Sequence, residues 1–260
     1  MLIFLSGLGL GIWGLIHWYG ALAIRASGFA SSRFNPLLWL TPPACFVLAA
    51  VLLRRYSDEF VRTDVAYLGG YVCLGAGLVT IQLWSARLVN LQLGRDSIGR
   101  GNRAAGVVAC GLLVGGTLAY CGANFGDGPS FVVVLLCVGL SMGGLFCVML
   151  MLEYLAHVSE HVTVERDTAA GLRLAGVLIG GGIILGRSVA GDWVSTAATF
   201  RDFLLLAWPV LLYAIVEPLL TRSFAATPAR PHPPAGLFGI VPAALYIVWG
   251  VGCLLVVGWW

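Results

Sequence analysis

Asn102-Arg103-Ala104-Ala105-Gly106 opens an apolar run that carries Gly111, Gly115 and Gly116, and 65 residues later Asp167-Thr168-Ala169-Ala170-Gly171 opens another that carries Gly176, Gly180 and Gly181. All these glycines and both alanine pairs fall in register, so the stretch is an internal repeat. Its period is about two membrane crossings, and the rest of the chain reads outward from it.

The chain of 260 residues is 59% hydrophobic and only 10% charged, against roughly 25% charged in a soluble domain. A hydrocarbon core about 30 Å thick needs roughly 20 apolar residues per helix. Eight stretches meet that need, at about 2–24, 36–53, 65–86, 104–125, 129–152, 168–187, 202–221 and 236–258. The fold class that follows is all-α: a polytopic membrane helical bundle of about eight transmembrane helices. The longest connection, Arg87 to Arg103, has seventeen residues and leaves no room for a soluble domain. Met1-Leu2-Ile3-Phe4 lacks the positive n-region of a cleaved signal, so span one is expected to stay.

All fifteen basic residues are arginine, a usage that points to a GC-rich bacterial genome. The net charge of +3 is spread over several loops, which argues against nucleic acid as a partner. The seven cysteines match no zinc or thioredoxin spacing and read as small apolar fillers. Loops after odd spans hold nine arginines and loops after even spans five. The positive-inside rule then places both repeat motifs in the cytoplasm and both termini in the periplasm of a bacterial inner membrane.

Each repeating unit is a two-span hairpin that returns to its starting side, so successive units are parallel copies. One membrane domain over 1–260 results, divided as hairpin one (1–63), the first motif repeat (64–128), the second (129–200) and hairpin four (201–260), with the motif eroded in the outer two. Span two is expected to bend or start late at Thr41-Pro42-Pro43. Thr199-Phe200-Arg201-Asp202 reads as a capping-box start for span seven. Gly7 and Gly11 can admit a neighbouring helix to span one, and Trp259-Trp260 fits an interfacial anchor.

Asn102 and Asp167 stand immediately before helix starts, where a side-chain oxygen accepts from otherwise unpaired backbone N–H groups. The same geometry, flanked by Arg100, Arg103 and Arg166, also suits an anion or a lipid headgroup phosphate. Gly106, Gly111 and Gly115, with Gly171, Gly176 and Gly180, form small-residue seams for close helix packing. Spans four and six most simply meet there across a pseudo-twofold axis.

Arg173 lies on the glycine face, roughly 9 Å beyond its helix start at 1.5 Å per residue, where the first copy has Val108. A charge at that depth needs a partner or water. His17, Gln82 and Glu217 fall at a similar depth, so the sequence predicts a polar layer of His17, Gln82, Arg173 and Glu217 with Arg173 paired to Glu217. That pair serves either assembly or a proton, ion or ligand pathway. Glu153, His157 and His161 share a stripe at i, i+4, i+8 if span five stays helical, which could hold a divalent metal. The stripe also falls where a helix leaves the membrane and solvated polar residues are ordinary. His17 is a lone candidate haem ligand. No nucleophile triad, paired-acid site, Walker loop or dinucleotide motif is present, so no enzyme activity and no cofactor is expected.

The doubled motif, Asn or Asp-x-Ala-Ala-Gly followed by glycines through a membrane helix, resembles the bacterial inner-membrane family catalogued as domain of unknown function 350. The resemblance covers about 66–187 and rests on Asn102, Ala104, Ala105, Gly106, Gly111 and Gly115 and on Asp167, Ala169, Ala170, Gly171, Gly176 and Gly180. Asp167 stands where that family usually shows Asn. The resemblance implies location and architecture, with a link to membrane stress and polyamine-related gene clusters. The expected function is a non-enzymatic membrane scaffold or subunit of a homo-oligomer or larger complex. A channel or transporter is the alternative, and a metal- or haem-bearing redox subunit a third class.

Overall fold

In the computed structural model, residues 2–27, 35–224 and 234–257 are described. Pro228, Pro231 and Pro233, with Trp259 and Trp260, lie outside them. The helices are α1 (Leu2–Ser27), α2 (Pro36–Tyr56), α3 (Glu59–Thr63), α4 (Val65–Ser85), α5 (Arg103–Gly122), α6 (Phe131–Ala156), α7 (Thr168–Ser188), α8 (Thr196–Ala207), α9 (Leu211–Phe224) and α10 (Val241–Val257). Seven helical segments are long and apolar enough to cross a membrane, with α8 and α9 forming one of them. The 26-residue α1 adds another helix of spanning length. No strand occurs among the described residues.

Short polar side chains start these helices. Asp64 accepts from Ala66 N at 2.7 Å, and Ser195 from Ala198 N at 3.2 Å, each supplying an acceptor that the first turn lacks. Span seven therefore begins at Thr196, six residues before the 202 predicted from the sequence. Ser195 follows Ser130 by one repeat period, and both have the same extended backbone, φ −164° and −163°.

Pro42 and Pro43 do not delay α2, which starts at Pro36 and runs through them. Each proline lacks the N–H that would bond four residues back, leaving the carbonyls of Leu38 and Trp39. Trp18 Nε1 donates to the Leu38 carbonyl at 2.8 Å, and Tyr19 Oη to that of Trp39 at 2.8 Å. Two aromatic residues of α1 thus replace two helical donors in a place where lipid offers none.

The second helices of the hairpins form a row, α2 on α5, α5 on α7 and α7 on α10, and the first helices form another, from α1 to α4 to α6 to α8 and α9. The centre of the first row is the core. Of the spanning windows of α5 and α7, 78% and 83% are buried, against 28% in both α2 and α10.

The α5–α7 seam is not a twofold. Across a twofold axis, contact of Gly111 with Ala175 would return as Gly176 with Cys110. A Cβ on Gly111 would indeed reach Ala175 Cα at 2.6 Å, but one on Gly176 would reach Ala243 of α10 at 2.5 Å. In the same way Gly115 abuts the Leu178 carbonyl, and Gly180 that of Tyr246. Each helix hands its glycine face to the next, so the packing is head-to-tail along the row. The first row of helices is matched elsewhere by α1 on α4, where Gly7 and Gly11 lie against Leu74 and the Cys73 carbonyl.

The hairpin turns at the opposite end repeat this progression. Gly126 N donates to the Tyr56 carbonyl at 3.4 Å, and Gly191 N to that of Phe125 at 2.9 Å. Gly126 and Gly191, one period apart, have φ of 91° and 130°, a region that suits glycine.

Candidate functional site

Arg173 is the largest fully buried side chain. It projects from the second turn of α7 toward α9 and the start of α10. Its Nε donates to Glu217 Oε1 at 2.8 Å, Nη1 to the Phe238 carbonyl at 2.9 Å, and Nη2 to Thr221 Oγ1 at 3.4 Å. Thr221 Oγ1 in turn donates to Glu217 Oε1 at 3.0 Å, and Tyr246 Oη to Glu217 Oε2 at 2.9 Å. Both carboxylate oxygens and all three guanidinium nitrogens are therefore engaged. This is the condition under which a buried ion pair is tolerated, because bare desolvation of either charge costs several kcal/mol. Chemically the cluster holds three helices together at fixed depth.

The other two residues of the predicted layer lie elsewhere. Gln82 is buried between α4, α5 and α6, where Nε2 donates to the Met142 carbonyl at 3.3 Å and Oε1 sits over Gly116. His17 is exposed on α1, its ring 4.9 Å from that of Trp13. Equal depth placed all four at one level, but the row of hairpins sets α1 and α9 at different ends of it. Thr221, Tyr246 and the Phe238 carbonyl were missed by the sequence reading. Thr221 was within reach of it, one helical turn beyond Glu217; the other two come from the last hairpin and carry no local signal.

The motif residues cap and clamp. Asn102 Oδ1 accepts from Ala105 N at 3.3 Å, while its Nδ2 donates to the Val162 carbonyl at 2.7 Å, binding the first copy to the second. Asp167 Oδ1 accepts from Ala169 N at 2.8 Å. The turns before them match: Asn102 N donates to the Asp96 carbonyl and Asp167 N to the His161 carbonyl, each at 2.9 Å. Gly101 and Arg166, also equivalent, have φ of 65° and 54°. Even the local side-chain contacts correspond, with the acidic and basic residue types exchanged: Arg100 to Asp96 at 2.9 Å, and His161 to Glu165 at 2.6 Å. Arg103 and Arg166 are exposed, whereas Ala104 and Ala105, which follow Arg103 in the first turn of α5, are fully buried.

The Glu153, His157, His161 stripe is broken. α6 ends at Ala156, and His157 takes a left-handed backbone with φ 46°. Glu153 turns back to accept from Ser159 N at 2.9 Å and Ser159 Oγ at 2.6 Å, and His161 faces Glu165. No group of three metal-ligating side chains occurs among the described residues.

Compared with family models, curated proteins and solved structures, the chain finds no match. Any reading of function rests on the residues above.

Proposed function

We propose that this integral membrane protein is non-enzymatic and acts as a scaffold or subunit of an oligomer or larger complex in a bacterial inner membrane. The observation that carries this reading is the closed centre. α5 and α7 meet backbone against backbone through Gly111, Gly115 and Gly182, and beside them the Arg173–Glu217 charges spend their hydrogen bonds on one another and on Thr221, Phe238 and Tyr246 around them. A pathway needs groups free to exchange partners with a passing ion, whereas this cluster is built to stay. The doubled motif and its family resemblance support the inner-membrane location.

The second reading, a channel or transporter, draws on a cavity between the turns at the end of the bundle away from Arg173. Reconstitution into liposomes with ion-sensitive dyes separates the two. The scaffold reading expects no flux above protein-free vesicles, together with a particle mass in mild detergent above that of one chain. Reproducible flux abolished by Glu217→Gln would overturn it.

A further inference from the structure

The turns that stack at the end of the bundle opposite Arg173 enclose a cavity of about 510 Å³, within the range of small-ligand sites. Its wall is electrostatically one-sided. Asp58, Asp127 and Asp192, each from a different inter-helix turn, line it, and no basic side chain does among the described residues. Asp192 is held by the N–H of Asp127, 2.9 Å from its Oδ1. Partial desolvation, followed by the neighbouring Asp58 and Asp192 carboxylates, pushes the Asp127 carboxyl above its ordinary range, while Arg62 on α3 pulls the other way.

The acidic turns alone would be a solvated surface. Two further features make a site of them. Asn124, 7% exposed, belongs to the wall; its Nδ2 is used by the Tyr120 carbonyl at 2.7 Å, and its buried Oδ1 accepts from nothing among the described residues. A buried acceptor left so is destabilising until a donor arrives. Aromatic side chains line it too: Tyr71 and Phe131 stand edge to face with centroids 6.4 Å apart, and Trp193 adds a third. Carboxylates and an amide oxygen accept N–H donors, and aromatic faces attract a diffuse positive charge. The carboxylates do not converge as a metal site would require.

We propose that this cavity binds a small organic cation of the alkylammonium class, its charge set among Asp58, Asp127 and Asp192 and its alkyl groups against Tyr71, Phe131 and Trp193. The site stands whether the bundle scaffolds or transports, since it uses none of the residues that close the centre.

The test is titration of the full chain in mild detergent with trimethylammonium chloride, which carries one N–H donor and three alkyl groups, ionic strength held constant with potassium chloride. Trp193 fluorescence reports binding, with Trp193→Phe as the blank and calorimetry as a second readout. Saturable binding is expected, weakened at least tenfold in Asp127→Asn and severalfold in Phe131→Leu. Both variants alter residues outside the core seam, and a melting curve for each confirms folding. If Asp127→Asn fails to fold, Phe131→Leu alone decides. Absence of saturable binding by both readouts overturns the proposal, as does binding unchanged in the folded variants. Calcium chloride saturating at lower concentration than trimethylammonium, with no response to Phe131→Leu, also overturns it, because the site would then be one for an inorganic cation.

Discussion

Two buried polar features act oppositely at the scale of single residues. Arg173 and Glu217 have each guanidinium nitrogen and each carboxylate oxygen in a hydrogen bond, so removing one partner strands the other in a span. Arg173→Leu and Glu217→Leu are each expected to cost about 3–5 kcal/mol, with the double variant costing much less than the sum because no charge is left behind. Denaturant titrations in mixed micelles measure this cycle, and strictly additive losses would rule out the pairing as an energetic unit. Asp127 sits among like charges instead. A carboxyl whose value is raised in the folded chain holds its proton more tightly there. Its ionisation therefore subtracts stability as pH rises from the ordinary carboxylate range through the raised value, and the cost is complete above that value. Asp127→Asn should accordingly raise the melting temperature at pH 7.5 without added cation, and the gain should fade toward about pH 4, the ordinary carboxylate range. An equal gain at both pH values would assign it to something other than charge.

At the scale of the element, glycines that look alike in sequence have different work. Gly115 carries its backbone onto the Leu178 and Gly182 backbones, whereas Gly139, also mid-helix, has nothing within 4 Å of an added Cβ. Gly115→Ala must separate α5 from α7 and is expected to cost about 2–3 kcal/mol as overpacking. Gly139→Ala should gain up to about 1 kcal/mol through helix propensity, and thermal unfolding in detergent compares the two. Register alone was enough to find the seam, because a doubled pattern marks positions under a common constraint. The helices themselves were equally legible from hydropathy, and two of their starts from Asn102 and Asp167 as caps. What could not be read was lateral: depth along a helix is a property of one segment, but whether His17 or Tyr246 stands beside Arg173 depends on how hairpins are arranged in the plane. The same limit hid Trp18 and Tyr19 as substitutes for the donors that Pro42 and Pro43 lack.

For the whole molecule, head-to-tail packing raises the question of why the row stops. An interface in which each unit offers one face and receives on another has no intrinsic end, and repeat arrays end by altering their terminal units. Both ends here are altered. Set in register by Gly239 against Ala169, as Gly171 lies against Ala104, the α10 position following Gly115 and Gly180 is Val248, 65% exposed; set likewise by Leu38 near Gly106, the α2 position answering to Leu178 is Val47, 64% exposed. Branched side chains at these places hold a further backbone away. Stability should then be graded along the row, because opening α5 or α7 breaks two seams and opening α2 or α10 breaks one. Amide hydrogen exchange of the full chain in detergent is expected to be slowest over 104–121 and 169–186 and faster through α2 and α10, although all four are apolar spanning helices. Gly115→Ala should accelerate exchange in α5 and α7 together while leaving α1 and α4 unchanged. Uniform protection across the spans would mean that the micelle, not the seam, governs opening, and the row would lose its standing as the organising unit of the fold.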